Sequence, residues 1–250
     1  MFDIGIIGGM GPKACSVLFD FIVEHTSAAK DQQHPSIVII NDSKIPDRTS
    51  YIFDNNLKNP IPLLKSDLQK LNEIGTKVVG IACNTSHLFA EDISYCKSEN
   101  FIHMPNAALK YCLLSGYKQV IVLATKGTIK THIFENQIYP FKIKYPSDED
   151  IELIHSLIYK IKNTKTVNLI KQSKVLKKLL LKISSQVDTK DTAIILGCTE
   201  LSILNKYSKY SLDFPIIDPL EILGLLLIHK SGYKISYKNC GYHKEIIENI

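Results

Sequence analysis

The chain has 250 residues, of which 45% are hydrophobic and 22% are charged, and its net charge at pH 7 is +5. This composition is ordinary for a globular protein, allows one large α/β domain or two smaller ones, and excludes a largely disordered chain. The six cysteines form no Cys-x-x-Cys pair, which disfavours a zinc knuckle and a thioredoxin-like redox pair.

The chain opens with a strand predicted over residues 3–7, which runs into the glycine-rich turn Gly8-Gly9-Met10-Gly11-Pro12. The turn has neither G-x-G-x-x-G spacing nor the Lys-Ser/Thr of a P-loop, so nucleotide binding is disfavoured. It favours either a backbone contact with a carboxylate-like anion or simply a tight strand-to-helix turn. Without a signal-peptide pattern or an apolar run of about 20 residues, we expect a soluble, cytoplasmic protein.

Short β-branched runs alternate with longer helical patterns along the chain, as in βαβ units with a parallel sheet. Strands are predicted over residues 3–7, 36–40, 77–82, 119–124, 142–145 and 193–196. Helices are predicted over residues 14–25, 62–74, 85–97, 107–115, 130–137, 149–160, 167–186 and 219–230. Fully apolar runs such as residues 194–196 are typical of strands that helices cover on both faces.

Much of the positive charge falls in the helix predicted over residues 167–186, where lysines are interleaved with apolar residues at helical spacing. This pattern indicates an amphipathic helix with a solvated lysine face. Nucleic acid or an anionic membrane is the alternative partner for such a face. Because no aromatic residues or arginines accompany the lysines, we expect neither.

A weak internal repeat is visible around two cysteines. A strand leads into Ala82-Cys83-Asn84-Thr85 in one half and into Gly197-Cys198-Thr199-Glu200 in the other. We predict two similar Rossmann-like α/β domains with mostly parallel sheets, related by pseudo-twofold symmetry, comprising residues 1–104 plus 216–250 and residues 105–215. Since ligands bind outside the carboxyl ends of parallel strands, we expect the active site in the cleft between the domains.

Cys83 and Cys198 are the candidates for chemistry. Each lies between a strand and a helix, where backbone N–H groups and the helix dipole favour a thiolate. One such cysteine could be merely a small buried residue, but two at equivalent places in a repeat favour reactive groups. A thiolate and a thiol on opposite sides of one carbon can remove a proton from one face and deliver another to the opposite face.

The segment Ile45-Pro46-Asp47-Arg48-Thr49-Ser50-Tyr51 follows the second predicted strand. The planar guanidinium of arginine matches a carboxylate bidentately, so Arg48 is a candidate clamp for a substrate carboxylate, with Asp47 holding the guanidinium in orientation. A surface arginine in a proline-containing turn is the structural alternative.

Together these segments resemble the aspartate/glutamate racemase family. The resemblance extends over nearly the whole chain in the family's order and rests on Gly8-Gly9-Met10-Gly11-Pro12, Ile45-Pro46-Asp47-Arg48-Thr49, Ala82-Cys83-Asn84-Thr85 with His87, Gly197-Cys198-Thr199-Glu200, and Ile217-Asp218-Pro219. It implies a homodimer that interconverts the L and D forms of acidic amino acids, aspartate or glutamate, without pyridoxal phosphate, metal or any other cofactor.

The resemblance also implies residue roles. Cys83 and Cys198 would be the two acid–base groups. The substrate-binding residues would be Met10, Arg48, Thr49, Tyr51, Asn84, Thr85, Ser86, Lys162 and Thr199. Supporting residues would be Asp47, His87 and Glu200, although the last two could equally be ordinary helix-start residues. Lys162 takes the place of a family lysine although its segment is one residue shorter, and Ser86 stands where many relatives have alanine.

Several alternatives remain. Hydantoin racemases, broad-specificity amino-acid racemases, maleate isomerases and arylmalonate decarboxylases share the fold, but two cysteines disfavour the decarboxylase, and the Pro-Asp-Arg-Thr segment favours an acidic amino acid over a hydantoin. A catalytically inactive binding protein is a further class. A metal hydrolase using Cys83 and His87 lacks a convincing third ligand nearby.

Overall fold

The computed structural model describes residues 1–93, 98–135, 139–163, 168–207, 212–238 and 240–250. Its strands are β1 (Phe2–Gly8), β2 (Ile37–Asn41), β3 (Thr76–Ile81), β4 (Phe101–Ile102), β5 (Gln119–Leu123), β6 (Lys142–Lys144), β7 (Thr192–Leu196) and β8 (Ile216–Ile217). Its α-helices are α1 (Pro12–His25), α2 (Arg48–Phe53), α3 (Ile61–Ile74), α4 (Met104–Leu114), α5 (Lys126–Lys130), α6 (Asp148–Asn163), α7 (Leu169–Ser184), α8 (Thr199–Lys206), α9 (Pro219–Lys230) and α10 (Lys244–Ile247).

The strands form two four-stranded parallel sheets with the same topology. The first has the order β2-β1-β3-β4 and the second has the order β6-β5-β7-β8. The third strand in each order is therefore β3 in one half and β7 in the other. The predicted fold of two parallel-sheet α/β units is confirmed, and the internal repeat of the sequence corresponds to this shared strand order.

The chain returns to the first half through α9, a helix that is apolar on nearly every side. It packs against α1, α4 and β3, and residues 222–228 are all buried. Gly224 permits the close approach of α1, because a Cβ at this position would lie 2.6 Å from Cδ1 of Phe21. Just before this helix, Ile216 and Ile217 pair with β7, so the second sheet extends to residue 217. The predicted domain boundaries remain a prediction.

Two predicted helices differ from the observed structure. In place of the α-helix predicted over residues 85–97, a 3₁₀ helix covers Thr85–Asp92, and residues 94–97 lie outside the described part of the chain. The helix predicted over residues 130–137 is wrong for residues 131–135, because α5 ends at Lys130. His132 has a φ of 54°, a left-handed conformation that an α-helix cannot continue through.

The lysine-rich helix is amphipathic, as its spacing predicts. In α7 the buried face carries Leu176, Leu179, Leu180 and Ile183, and the lysines lie on the other faces. Within the described residues, no helix has both the length and the apolar character that a membrane span requires.

Candidate active site

The two sequence-predicted cysteines occupy equivalent positions at the carboxyl ends of their sheets. Cys83 lies two residues after β3, and Cys198 lies two residues after β7 as the N-cap of α8. Each is buried, with 5% of its surface exposed. The repeat of strand and turn in the two halves therefore presents one thiol from each half at the same kind of strand end.

The Cys198 thiol is part of a short polar chain. Its Sγ donates a hydrogen bond to Oε2 of Glu200 at 3.0 Å, and Oε1 of Glu200 lies 3.9 Å from Nζ of Lys162. Burial and then the Glu200 carboxylate raise the pKa of Cys198 well above its usual value, and the Lys162 ammonium opposes them. The protonated thiol is therefore the favoured form of Cys198.

Lys162 lies near the end of α6 with 15% of its side chain exposed. Burial opposes its charge, but the attraction of Glu200, assisted by Cys198 and Cys83, raises the pKa of Lys162 above its usual value. Because Lys162 stays charged at neutral pH, it favours the ionised form of Cys198.

A pocket of about 260 Å³ opens beside this ammonium and is lined by Gly11, Pro12, Lys162 and Glu200. The glycine-rich turn of the first half reaches the second half here. A Cβ on Gly11 would lie 3.2 Å from Oε1 of Glu200, so glycine leaves room for the carboxylate. Residues of both halves thus form the walls of the pocket.

His87 fixes the backbone at Cys83. Its Nδ1 donates to the carbonyl oxygen of Cys83 at 2.8 Å, and its Nε2 accepts from the backbone N–H of Met104 at 3.2 Å. Burial, with repulsion from His103, lowers the pKa of His87 to about 3. The ring is therefore neutral, positions the cysteine loop against α4, and has no lone pair left for the metal that a hydrolase would need.

Arg48 is buried at the first turn of α2, with 5% of its surface exposed. Its Nη1 donates to the carbonyl oxygens of Pro46 at 2.8 Å and Ile45 at 3.3 Å, and its Nη2 donates to that of Met10 at 2.9 Å. Among the described residues, its Nε has no hydrogen-bond partner. Three carbonyls thus hold the guanidinium while its Nε edge keeps an unused donor.

The sequence suggested that Asp47 orients the guanidinium of Arg48, but the structure shows no hydrogen bond between them. Oδ1 of Asp47 accepts from the backbone N–H of Ser50 at 2.8 Å, which caps α2, and from the hydroxyl of Tyr159 at 3.0 Å. Burial opposes the charge of Asp47, but these hydrogen bonds and the positive charges of Lys162 and Arg48 lower its pKa. Arg48 interacts with this carboxylate through charge alone. Asp47 therefore ties α2 to α6.

Asn84 follows Cys83 directly and is 2% exposed. Neither Oδ1 nor Nδ2 of its amide has a partner among the described residues. A buried polar group without a partner costs about 1–3 kcal/mol, so such groups are rare unless a ligand satisfies them. Asn84 therefore holds an unsatisfied donor group and an unsatisfied acceptor in the residue next to Cys83.

Four threonine hydroxyls link the two halves beside the site. Thr85 and Thr128 are 2.8 Å apart, Thr125 and Thr128 are 3.0 Å apart, and Thr49 donates to Thr125 at 3.3 Å. The sequence-predicted Thr49 and Thr85 are thus joined to each other by two threonines that sequence reasoning missed. Their signal was a polar loop, Ala124-Thr125-Lys126-Gly127-Thr128, after a buried strand.

The remaining predicted residues surround this centre. The hydroxyl of Ser86 donates to Sδ of Met10 at 3.0 Å, so these two satisfy each other. Tyr51 packs its ring 6.0 Å from that of Phe89. Thr199 begins α8 and is buried. Sequence reasoning also missed Tyr159, which bonds Asp47 and lies one helical turn from Lys162 on α6.

Comparisons with known proteins agree with this geometry. The family model described as Asp/Glu/Hydantoin racemase matches residues 7–224. A solved structure, an aspartate racemase from Picrophilus torridus, is 27% identical, covers 99% of each chain and has a TM-score of 0.81. Glutamate racemase RacE1 from Bacillus anthracis, 18% identical over 92% of this chain and 82% of its own, has a TM-score of 0.61 and shares the fold.

A curated relative is the broad specificity amino-acid racemase RacX of Bacillus subtilis (strain 168). It is 26% identical over 136 residues, which is 53% of this chain. The match spans only 58% of the length of that relative.

Proposed function

The chain belongs to the Asp/Glu/hydantoin racemase family, and from this premise we propose that it racemises an acidic amino acid by proton transfer at Cys83 and Cys198. The observation that carries the proposal is the placement of two buried thiols at equivalent strand ends, Cys83 after β3 and Cys198 after β7. The Cys198 thiol also donates to Glu200, whose carboxylate lies 3.9 Å from the Lys162 ammonium. A reaction that removes a proton from one face of a carbon and returns one to the other face needs two acid–base groups.

The proton balance follows from the state of Cys198. In one direction the Cys83 thiolate takes the α-proton, and the Cys198 thiol delivers its own proton to the opposite face of the carbanion. Product then leaves with Cys83 protonated and Cys198 as thiolate, which is the state that accepts the other enantiomer. Lys162 stabilises the thiolate in both states and the negative charge that develops on the substrate between them.

Unpaired polar groups support an acidic amino acid as substrate. The buried Nε of Arg48 offers a charge-assisted hydrogen bond to a side-chain carboxylate, while the amide of Asn84 offers a donor and an acceptor beside Cys83. Aspartate and glutamate carry such a carboxylate. The Picrophilus torridus relative is an aspartate racemase, which is consistent with aspartate as the substrate.

A second candidate is a racemase of broader specificity. The match to RacX, a broad specificity amino-acid racemase, favours it. In that case neutral amino acids would be turned over with efficiencies close to those of aspartate and glutamate.

A homodimer in the cytoplasm, implied by the resemblance, remains part of the proposal, and light scattering of the purified chain measures the oligomeric state.

The decisive experiment incubates the purified chain with L-aspartate or L-glutamate in D₂O without pyridoxal phosphate. Optical rotation and α-deuterium content are followed together. We expect rotation to vanish while deuterium enters the α-position, and Cys83→Ser and Cys198→Ser each to reduce racemisation by a factor of about 10³ or more. Cys112→Ala, which changes a buried cysteine of α4 outside the site, is the matched control. No turnover of any amino acid in a panel would favour a binding protein.

A further inference from the structure

A second pocket lies apart from the candidate active site, between α1, α8, the start of α9 and the C-terminal segment. Its volume is about 150 Å³. Its apolar wall contains Leu18, Phe21 and Leu220, and its polar wall contains Asp218, Glu221 and Lys206. It shares α8 with the candidate active site but none of the residues assigned there.

Asp218 is 1% exposed and only half satisfied. Its Oδ1 accepts from the hydroxyl of Ser202 at 2.7 Å and from the backbone N–H of Leu220 at 3.0 Å, which caps α9. Within the described residues its Oδ2 has no partner. One oxygen of a buried carboxylate on the pocket wall therefore lacks a hydrogen-bond donor from the described residues.

Glu221 brings a second carboxylate to the same pocket. Burial raises the pKa of both acids, and the negative charge of Asp218 raises the pKa of Glu221 further. The nearby cation is Lys206, which forms ion pairs with Asp20 and with Glu24, the latter at 4.0 Å. Neither Asp218 nor Glu221 has an ion-pair partner in the described ranges, because the Lys206 ammonium on the same wall is paired with Asp20 and Glu24.

We propose that this pocket is a second ligand site, which binds a small organic ammonium with its nitrogen at Asp218 Oδ2 and Glu221 and its carbon tail against Leu18, Phe21 and Leu220. An ammonium donates three hydrogen bonds and supplies the ion pair that the two acids do not make with any described residue. A bare divalent cation would need about six oxygen ligands, whereas this pocket presents two carboxylates beside an apolar wall.

The volume sets the size of the ligand. An apolar cavity of about 150 Å³ accommodates a molecule of the size of benzene. A primary amine with a tail of about six or seven carbons therefore fills the pocket of this protein. Benzylamine is a suitable probe, and benzyl alcohol is its neutral counterpart with nearly the same shape.

Titration calorimetry on the full chain tests the proposal. We expect saturable binding of benzylamine, with a Kd at least tenfold lower than that of benzyl alcohol. Asp218→Asn keeps the helix-capping acceptor but removes one ionisable carboxyl group, and Glu221→Gln removes the other. Each should raise the Kd for benzylamine at least tenfold, whereas Arg48→Lys, in the candidate active site, should leave it unchanged.

Each opposite result overturns the proposal. These results are no saturable benzylamine binding by the wild-type chain, equal binding of benzyl alcohol, undiminished binding by Glu221→Gln, or loss of binding in Arg48→Lys. Circular dichroism establishes that each variant is folded, and Glu221→Gln suffices if Asp218→Asn does not fold. The measurement is independent of racemisation, so the two proposals can fail separately.

Discussion

The thiol of Cys198 donates a hydrogen bond to the carboxylate of Glu200, with 3.0 Å between sulfur and Oε2. The bond makes the protonated thiol the stable form, because burial and the adjacent negative charge both raise the pKa of Cys198. Among the described residues, no carboxylate bonds to Sγ of Cys83 in this way. The two thiols therefore differ in environment although their positions in the fold are equivalent.

We expect Glu200→Gln to lower the pKa of Cys198, since the substitution removes a negative charge that disfavours the thiolate while Lys162, which favours it, remains. The ultraviolet absorbance of the thiolate, titrated in a Cys83→Ser background, measures this change. In the pH profile of kcat, the falling limb for the direction in which Cys198 is the acid should move to lower pH. At the alkaline end kcat should fall by about tenfold or more, since a general acid contributes about 10² or more to the rate.

The control for this prediction is Glu149→Gln, at the first turn of α6, which removes an acid outside the site. It should leave both the thiolate titration and the falling limb unchanged. An unaltered titration in Glu200→Gln would mean that burial alone sets the pKa of Cys198.

Arg48→Lys separates a substrate clamp from a structural arginine. Lysine keeps the charge and can still reach a backbone carbonyl, but it lacks the Nε edge that is unpaired in the structure. If that edge binds a side-chain carboxylate, kcat/KM for aspartate should fall by about a hundredfold, the equivalent of about 2–3 kcal/mol for a charge-assisted hydrogen bond. The value for asparagine, measured in the same way, should change far less. An equal loss for both substrates would assign Arg48 to holding the loops at Pro46 and Met10.

The sequence was a good guide to the longer elements of the fold. Apolar β-branched runs such as residues 193–196 have a local signature, and so does an amphipathic helix such as α7. The edge strands β4 and β8 escaped prediction because each has only two residues, too few for any periodicity. The end of α5 was also missed, since the residue types do not indicate that the backbone of His132 adopts a left-handed conformation.

The site was less predictable than the fold, because its partners are distant in sequence. Cys83 and Cys198 could be found from the repeat, but the contact of Thr49 with Thr125 joins residues 76 positions apart. The role of Asp47 was misjudged for the same reason. Adjacency in sequence suggested Arg48 as its partner, whereas its distant hydrogen bond goes to Tyr159 on α6. Such pairings depend on the tertiary structure, and local sequence patterns do not show which distant residues will meet.

His87 makes the stability of the protein depend on pH. The pKa of His87 in the folded chain is lowered to about 3. As the pH falls below about 6.5, His87 is therefore protonated in the unfolded chain but stays neutral in the folded chain. The contribution of neutral His87 to the free energy of unfolding is complete above the pKa of the unfolded state. It is lost, at about 1.4 kcal/mol per pH unit, as the pH falls toward the pKa of the folded state. Urea unfolding should show that His87→Gln is destabilised at neutral pH and that its deficit shrinks by about 2 kcal/mol at about pH 5. A deficit that does not change with pH would contradict a neutral buried ring.

Asn84 provides the sharpest contrast between stability and activity. Both polar atoms of its buried amide lack partners among the described residues, so folding loses their hydration without replacing it. Asn84→Ala removes this cost, and we expect the free energy of unfolding to stay unchanged or to rise by about 1 kcal/mol. If the amide binds substrate, kcat/KM should fall by about a hundredfold in the same variant, because the bond made to the bound amino acid is lost.

Thr26→Val is the matched control, since Thr26 is also buried but its hydroxyl donates to the carbonyl oxygen of Ile22 at 2.7 Å. Its removal should lower the free energy of unfolding by about 1 kcal/mol and leave kcat/KM unchanged. The two variants thus move stability and activity in opposite ways, because one polar group is paired within the protein and the other is left for a ligand. A loss of stability in Asn84→Ala comparable to that in Thr26→Val would show that the amide is paired within the folded protein and is not available to substrate.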